Sequence, residues 1–408
     1  MIYKIEIENF CSIKNRQVID VSASASLADP DERLGEIYPH SERRAPKVVA
    51  IFGANASGKT TVLKALDVLT RFPRYYPLNV AGGFSFDTFG DEGTLNLPIK
   101  LAVEFGGYVQ LDFQNVEPTD LESCVYRYEL EFVRMSGGPF VVGRENLYQK
   151  PASAQKWRRV FEREGGLVKG PNDSKIFSLT GYAQIIDKLP PNASLIATLA
   201  EFQHIPSQTL IKASNQVSTN LGFAADPEQD AKLVQYLAQA PDLLASLNRN
   251  LRRIDIGLDN LRLEQSPQGP VPLFKHDGLT VDLPWALESH GTKAFIRIFP
   301  LISGALETGS VAIIDEIDAQ LHPLMLAHLI EWFHGRSERN PNDAQLWFSG
   351  HSATLLQDLT KEEILLCEKD RMGRTEVYSL TDVEGVGRKE NFYSKYLSGV
   401  YGAVPQIG

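Results

Sequence analysis

Residues 53 to 60 read Gly53-Ala54-Asn55-Ala56-Ser57-Gly58-Lys59-Thr60, the residue types and spacing that a phosphate-binding loop requires. Glycines let the backbone curl so that successive N–H groups point at phosphate oxygens, and a following helix adds its positive N-terminal end. Lys59 can reach β- and γ-phosphates, and the Thr60 hydroxyl can ligate Mg²⁺. A second set of chemical groups stands far along the chain in Val311-Ala312-Ile313-Ile314-Asp315-Glu316. Four buried-type residues ending in two carboxylates describe a short parallel strand, and ligands sit at the carboxyl ends of such strands. Asp315 then belongs near the Mg²⁺ and Glu316 near the water that attacks the γ-phosphate, where a carboxylate can take the water's proton.

The flanking elements fit these roles. Val48-Val49-Ala50-Ile51-Phe52 is an apolar strand before the loop, and Thr61-Val62-Leu63-Lys64-Ala65-Leu66 opens a helix after it. A β-rich stretch follows. We expect Ile99 to Phe105 to turn at Gly106-Gly107 into Val109 to Phe113, and Tyr126 to Val133 to turn at Gly137-Gly138 into Phe140 to Val142. Gly165-Gly166 marks a third turn. From about Gly181 to Arg253 the apolar period becomes helical, with stripes at Ser194 to Phe202, Asp230 to Leu237 and Pro241 to Leu251. Sustained heptads are absent, so this arm reads as a compact helical lobe. From about Leu279 strands and helices alternate again.

Composition sets outer limits. The chain of 408 residues is 43% hydrophobic and 23% charged, a globular balance with room for two or three lobes. It contains no run of 18 apolar residues, and Met1 to Ile7 alternates like a strand, so neither a membrane span nor a signal peptide is expected. Cys11, Cys124 and Cys367 are scattered, with neither metal spacing nor a disulfide framework, which suits a reduced cytoplasm. A formal net charge of -10 argues against DNA binding by the surface as a whole, though a local basic groove stays open.

Two further stretches complete a recognisable order. They are Glu288-Ser289-His290-Gly291-Thr292-Lys293, opening a helix from Lys293 to Phe299, and Phe348-Ser349-Gly350-His351-Ser352, a loop after an apolar strand. Phosphate loop, Ser-x-Gly motif, strand ending Asp315-Glu316 and loop histidine come in the order of ABC-type ATPases. Their wide separation resembles the SMC, RecF and OLD branch, where an arm interrupts the ATPase head. More narrowly, Asp315-Glu316-Ile317-Asp318-Ala319-Gln320-Leu321-His322-Pro323, Glu368-Lys369-Asp370 and the tail Tyr396 to Pro405 resemble stand-alone OLD-like ATPases of bacterial phage-defence operons, a group that includes the ATPase subunit of PARIS.

The resemblance implies an α/β fold. An ABC-type head would combine a mixed central sheet with an antiparallel β-subdomain, divided as residues 1–180, a helical arm at 181–265, and 266–408. It implies a head-to-head homodimer or larger oligomer. ATP would lie on Gly53, Asn55, Ser57, Gly58, Lys59, Thr60 and Thr61 of one protomer, closed over by Ser289 and Gly291 of the other. Thr60 and Asp315 would hold Mg²⁺, Glu316 would act as base, His351 would sense the γ-phosphate, and Asp318 would lie in the loop crossing the interface. The glutamine that usually joins Mg²⁺ to the β-subdomain has only Gln110 and Gln114 as candidates, and the Ser-x-Gly stretch departs from the transporter form.

Implied function is a switch or sensor with slow or partner-stimulated ATP hydrolysis. It would control a toxin or nuclease effector from the same operon in response to a phage component. The alternative is a DNA-binding repair ATPase of the RecF or SMC kind. An intrinsic nuclease is not expected, because no Glu plus Asp-x-Asp cluster follows the tail motif, and a transporter subunit fits neither the split head nor the altered Ser-x-Gly stretch.

Other polar groupings read as structure. His322, His328 and His334 recur every six residues, about 600° of helix, and so share no face; we expect one interface residue and two solvated ones. Lys156-Trp157-Arg158-Arg159 and the set Arg249, Arg252 and Arg253 are the basic candidates for nucleic acid, but solvated faces account for them. Asp255 to Asp259 lacks a full Ca²⁺ loop and reads as a strand–turn junction.

Overall fold

The structure is a computed structural model that describes every residue except 76–85, 112–120, 136–137, 172–175, 216, 222–226, 255–256, 320, 336–338, 389 and 405–408. Gln114, Asp255, Gln320 and Pro405 therefore lie outside the described residues, as does Gly137.

Alternation along one strand builds the centre of the molecule. In Val48–Phe52 every residue is buried, with Val49 and Ile51 in one apolar cluster and Val48, Ala50 and Phe52 in another. Successive side chains of a strand point to opposite faces, so a strand with no polar residue must be covered on both. The phosphate-loop helix Lys59–Arg71 covers one face through Val62, Leu63 and Leu66; the helix His290–Thr308 covers the other through Phe295, Phe299 and Ile302. Full burial of each such side chain contributes about 1.5–3 kcal/mol relative to exposure. Val311–Ile314, Gln345–Ser349 and Ile364–Lys369 divide their side chains between the same two clusters.

These strands form one mixed sheet among the described residues. Its order is Ser218–Thr219, Val311–Ile314, Gln345–Ser349, Val48–Phe52, Ile364–Lys369 and Thr375–Ser379, parallel except for the last. The carboxyl ends of three neighbouring strands thus run into Gly53, Asp315 and Gly350 on one rim.

A second sheet is antiparallel, in the order Leu167–Lys169, Arg158–Glu164, Phe140–Pro151, Ser123–Arg134, Ile99–Tyr108, Ile2–Glu8 and Gln17–Asp20. Two expected hairpins are present: Ser123–Arg134 with Phe140–Pro151, and Arg158–Glu164 with Leu167–Lys169 about Gly165. The turn expected at Gly106-Gly107 is not formed; both glycines lie inside the continuous strand Ile99–Tyr108. Close approach explains Gly106, since a Cβ there would sit 1.7 Å from the Ile37 carbonyl oxygen.

The helical stretch comprises Ala183–Ile186, Leu195–Glu201, Ile205–Asn215, Pro227–Gln239 and Pro241–Ile254. Asp230, in the first turn of Pro227–Gln239, takes two hydrogen bonds from Arg297 (2.8 and 2.9 Å) and one from Trp285 Nε1 (2.9 Å), which ties the stretch to the helix His290–Thr308. Among the described residues no helix is long and apolar enough to cross a membrane.

Three surface expectations can be placed. His322 caps the helix Pro323–Glu331 through its own side chain, and His328 is half-exposed. His334 points inward: its Nε2 lies 2.6 Å from the buried Glu363 carboxylate, because the chain leaves the helix after Glu331 and turns inward. Arg249, Arg252 and Arg253 are exposed, and Arg252 donates to the Asp259 carbonyl at 2.5 Å.

Candidate nucleotide-binding site

The loop Gly53 to Gly58 leaves its strand and enters the helix Lys59–Arg71 through Gly58, which caps it at φ 111° without any side-chain cap bond. The first N–H groups of a helix lack internal partners, and here no side chain of the capping residue occupies them. Only glycine fits there, for the angle is left-handed and a Cβ would meet the Thr375 hydroxyl at 2.3 Å. Thr375 braces the loop: its Oγ1 lies 2.8 Å from the Ser57 carbonyl oxygen and 2.8 Å from Ser12 Oγ, which in turn is 2.9 Å from Thr61 Oγ1. Ser57 is buried and its hydroxyl has no hydrogen-bond partner among the described residues, while Asn55 is exposed at the loop's tip.

Lys59 folds back over the loop. Its ammonium donates to the carbonyls of Gly53 (2.9 Å) and Ala54 (3.0 Å) and stands 3.4 Å from His351 Nδ1. Burial pushes its pKa down, against the field of Cys367, Asp315, Asp318 and Glu316. Burial also pushes the Cys367 thiol up to about 12, so near neutrality that sulfur is uncharged and the opposing field at Lys59 comes from the three carboxylates.

Across the rim, Thr60 Oγ1 donates to Asp315 Oδ1 at 3.2 Å, and Ser349 Oγ donates to the same oxygen at 2.5 Å. Asn220 brackets the Asp315 backbone from the other side, accepting its N–H at 2.7 Å and donating to its carbonyl at 2.9 Å. Glu316 projects outward with 59% of its side chain exposed, 3.7 Å from His351 Nε2. Asp318 turns inward, its Oδ2 accepting the backbone N–H groups of His351 (2.6 Å) and Ser352. A cavity of about 820 Å³ opens beside Thr60, Asp315 and Glu316 and reaches Tyr236 of the helical stretch and Arg297 of the helix His290–Thr308.

Lys59, Thr60, Asp315, Glu316 and His351 thus come together, with Gly53, Ser57, Gly58 and Thr61 in the same loop and helix turn. Ser289 and Gly291 sit elsewhere in the structure's bonding pattern. Ser289 caps the helix His290–Thr308, accepting the Thr292 N–H at 3.0 Å, and both Ser289 and His290 are exposed. Glu288 anchors that cap: it accepts the Ser289 N–H at 2.6 Å and lies 2.9 Å from His276 Nε2. Gln110 is exposed beyond the end of Ile99–Tyr108, and the side-chain amide against Asp315 belongs to Asn220 instead.

Sequence reasoning missed Ser12, Asn220, Ser349 and Thr375 as site residues. Ser349 stands inside the quoted Phe348 to Ser352 motif, so its polarity at a strand end was a usable signal. Asn220 and Thr375 offered none, because only the strand order brings them to the rim.

A phosphate loop, an acidic strand end and a histidine loop on adjacent parallel strands define an ATP-binding α/β protein of the ATPase class. Residues 48–357 match the family described as "AAA domain, putative AbiEii toxin, Type IV TA system", and the chain belongs to that family. Comparison with curated proteins finds no match. Among solved structures, the chain is similar to an SMC head bound to the C-winged helix domain of ScpA, at 14% identity and TM-score 0.49 over 93% of this chain and 97% of that one. It is also similar to the SMC head domain from Thermotoga maritima, at 13% identity and TM-score 0.42 over 93% and 98%.

Proposed function

We propose that the chain is an ATP-hydrolysing switch whose two heads close around ATP and whose helical stretch passes that closure to a protein effector. The convergence of Lys59, Thr60, Asp315, Glu316 and His351 on one rim carries this reading. The residues fit Mg²⁺: a hydroxyl and a carboxylate oxygen 3.2 Å apart are hard donors, and Mg²⁺ takes one or two carboxylates together with substrate phosphates. When bound, the ion would supply charge neutralisation at the phosphates, held by Thr60 and Asp315.

Lys59 exchanges its loop carbonyls for phosphate oxygens as ATP enters. The N–H groups after Gly58 receive the phosphates, and Glu316, exposed toward solvent, accepts the proton of the attacking water. His351, between Lys59 and Glu316, senses the γ-phosphate. The products are ADP, phosphate and a proton. Ser289 and Gly291, on an exposed helix start, serve the nucleotide held by a second protomer, and residues 181–265, apart from Ser218 to Asn220 in the head's sheet and rim, form the transmitting arm. The Asp230–Arg297 pair supports that coupling, because it joins the arm to the helix that begins at Ser289.

The family's description, with its toxin and toxin–antitoxin terms, supports a toxin context; the proposed effector is a toxin or nuclease, acting in phage defence. A DNA partner is less favoured, since a formal net charge of -10 opposes it. Light scattering of the Glu316→Gln variant with Mg²⁺-ATP tests the reading: a shift from monomer to dimer or larger is expected, and an unchanged mass would contradict it.

A further inference from the structure

Ser349 ends the strand that lies between the phosphate-loop strand and the acidic strand, and it is fully buried. Its hydroxyl donates to Asp315 Oδ1 at 2.5 Å and accepts the Glu316 N–H at 2.8 Å, and its carbonyl accepts the Ile317 N–H at 3.0 Å. Asp318 returns the connection by accepting the N–H groups of His351 and Ser352. We infer that residues 315–318 and 349–352 are clasped into one body, with Ser349 and Asp318 as positioning residues that keep Asp315, Glu316 and His351 in register.

Asn220 also brackets the Asp315 backbone but reaches neither Glu316 nor the histidine loop, and the direct contact between those two is weaker. The His351–Glu316 contact is 3.7 Å long between side chains 40% and 59% exposed, and an exposed pair of that kind contributes little. Glu316 also adopts φ 48°, a left-handed angle that a non-glycine residue keeps only when its surroundings impose it. Ser349 supplies the constraint, its hydroxyl holding the Glu316 N–H and the Asp315 carboxylate and its carbonyl the Ile317 N–H that follows. Asp318 is thereby assigned a task within its own chain: its Oδ2 is committed to two backbone N–H groups.

The catalytic consequence of the clasp rests on the ATPase reading above, but its existence does not. Two measurements separate them: steady-state ATPase kinetics, and amide hydrogen exchange at 315–318 and 349–352. Ser349→Ala and Asp318→Ala are each expected to lower kcat by about 10- to 100-fold with little change in KM for ATP, as loss of an outer-shell partner does. Asp318→Asn keeps an acceptor oxygen and is expected to stay near wild type, whereas a role needing the charge would make it as damaging as Asp318→Ala.

Ser349→Ala should also speed exchange at His351 and Ser352, which the Ser349 hydroxyl does not touch, because the clasp moves as a unit. Wild-type exchange at those two amides in Ser349→Ala would overturn the inference, as would an Asp318→Asn variant that behaves like Asp318→Ala. A wild-type chain without ATPase activity would instead overturn the proposed function, and the exchange data would still decide the clasp.

Discussion

Two charged centres in this molecule use similar residues to opposite ends. In the antiparallel sheet, Glu145 and Arg163 are both buried, and Glu145 accepts from Arg163 (3.2 Å), Ser194 Oγ (2.7 Å), the Leu195 N–H (2.7 Å) and Tyr128 (2.9 Å). Arg163 spends its other donors on the Gly165, Ala193 and Pro190 carbonyls. At the parallel sheet's rim, by contrast, Glu316 is mostly exposed, Ser57 Oγ and Asp318 Oδ1 are buried without partners among the described residues, and Lys59 borrows loop carbonyls. A buried ion with every lone pair occupied holds structure; a rim with polar atoms in reserve can take up a ligand.

The comparison breaks most visibly if the two centres are disabled in turn. Lys59→Ala is expected to lower kcat/KM for ATP by about 10²- to 10³-fold, as removal of one preorganised donor does, with little loss of stability. Glu145→Ala should do the reverse, lowering unfolding free energy by about 3–5 kcal/mol by leaving Arg163 uncompensated. Denaturant unfolding beside ATPase assays checks both, and a stability loss in Lys59→Ala equal to that in Glu145→Ala would erase the distinction.

A smaller effect is expected at the brace between the regions. Thr375→Val keeps shape but removes a hydroxyl bonded to Ser57 and Ser12, and a lost neutral hydrogen bond is worth about 1 kcal/mol. Nucleotide affinity should fall by about fivefold. Isothermal titration with ADP reads this directly, and Thr375→Ser should restore it.

Acid should also act on the antiparallel sheet. Burial pushes the Glu6 carboxyl up, but hydrogen bonds and charge from Arg127 and Arg16 outweigh it and bring the pKa down to about 2. The unfolded chain, with an ordinary value of 4.5, binds that proton more readily, so the pairing stabilises fully above pH 4.5 and is lost as pH falls toward 2. The stability gap between wild type and Glu6→Gln should therefore be present at neutral pH and close across that window in urea titrations.

How much of this was legible in the sequence follows from chain locality. Gly53 to Thr60 is contiguous, and its strand and helix are adjacent in sequence, so loop and role could be read together. The partnership of Ser349 with Asp315 depends on the register Ile314↔Phe348, which places the two next residues side by side across 34 positions of chain. Thr375 is 318 residues from its partner Ser57, and nothing local announces it. Gly106-Gly107 resists a local reading for a related reason: Gly106 answers a neighbouring backbone at Ile37 and Gly107 the Tyr126 ring, not a turn of their own.

Mixing two inactive chains tests the central claim most directly. Lys59→Ala disables the phosphate loop, and Ser289→Arg blocks the exposed helix start. If each site draws Ser289 from the partner, half of the randomly formed pairs carry one intact site, and about a quarter of wild-type ATPase activity should return. No recovery on mixing, with Ser289→Arg inactive alone, would place Ser289 in its own chain's site and contradict the two-headed switch.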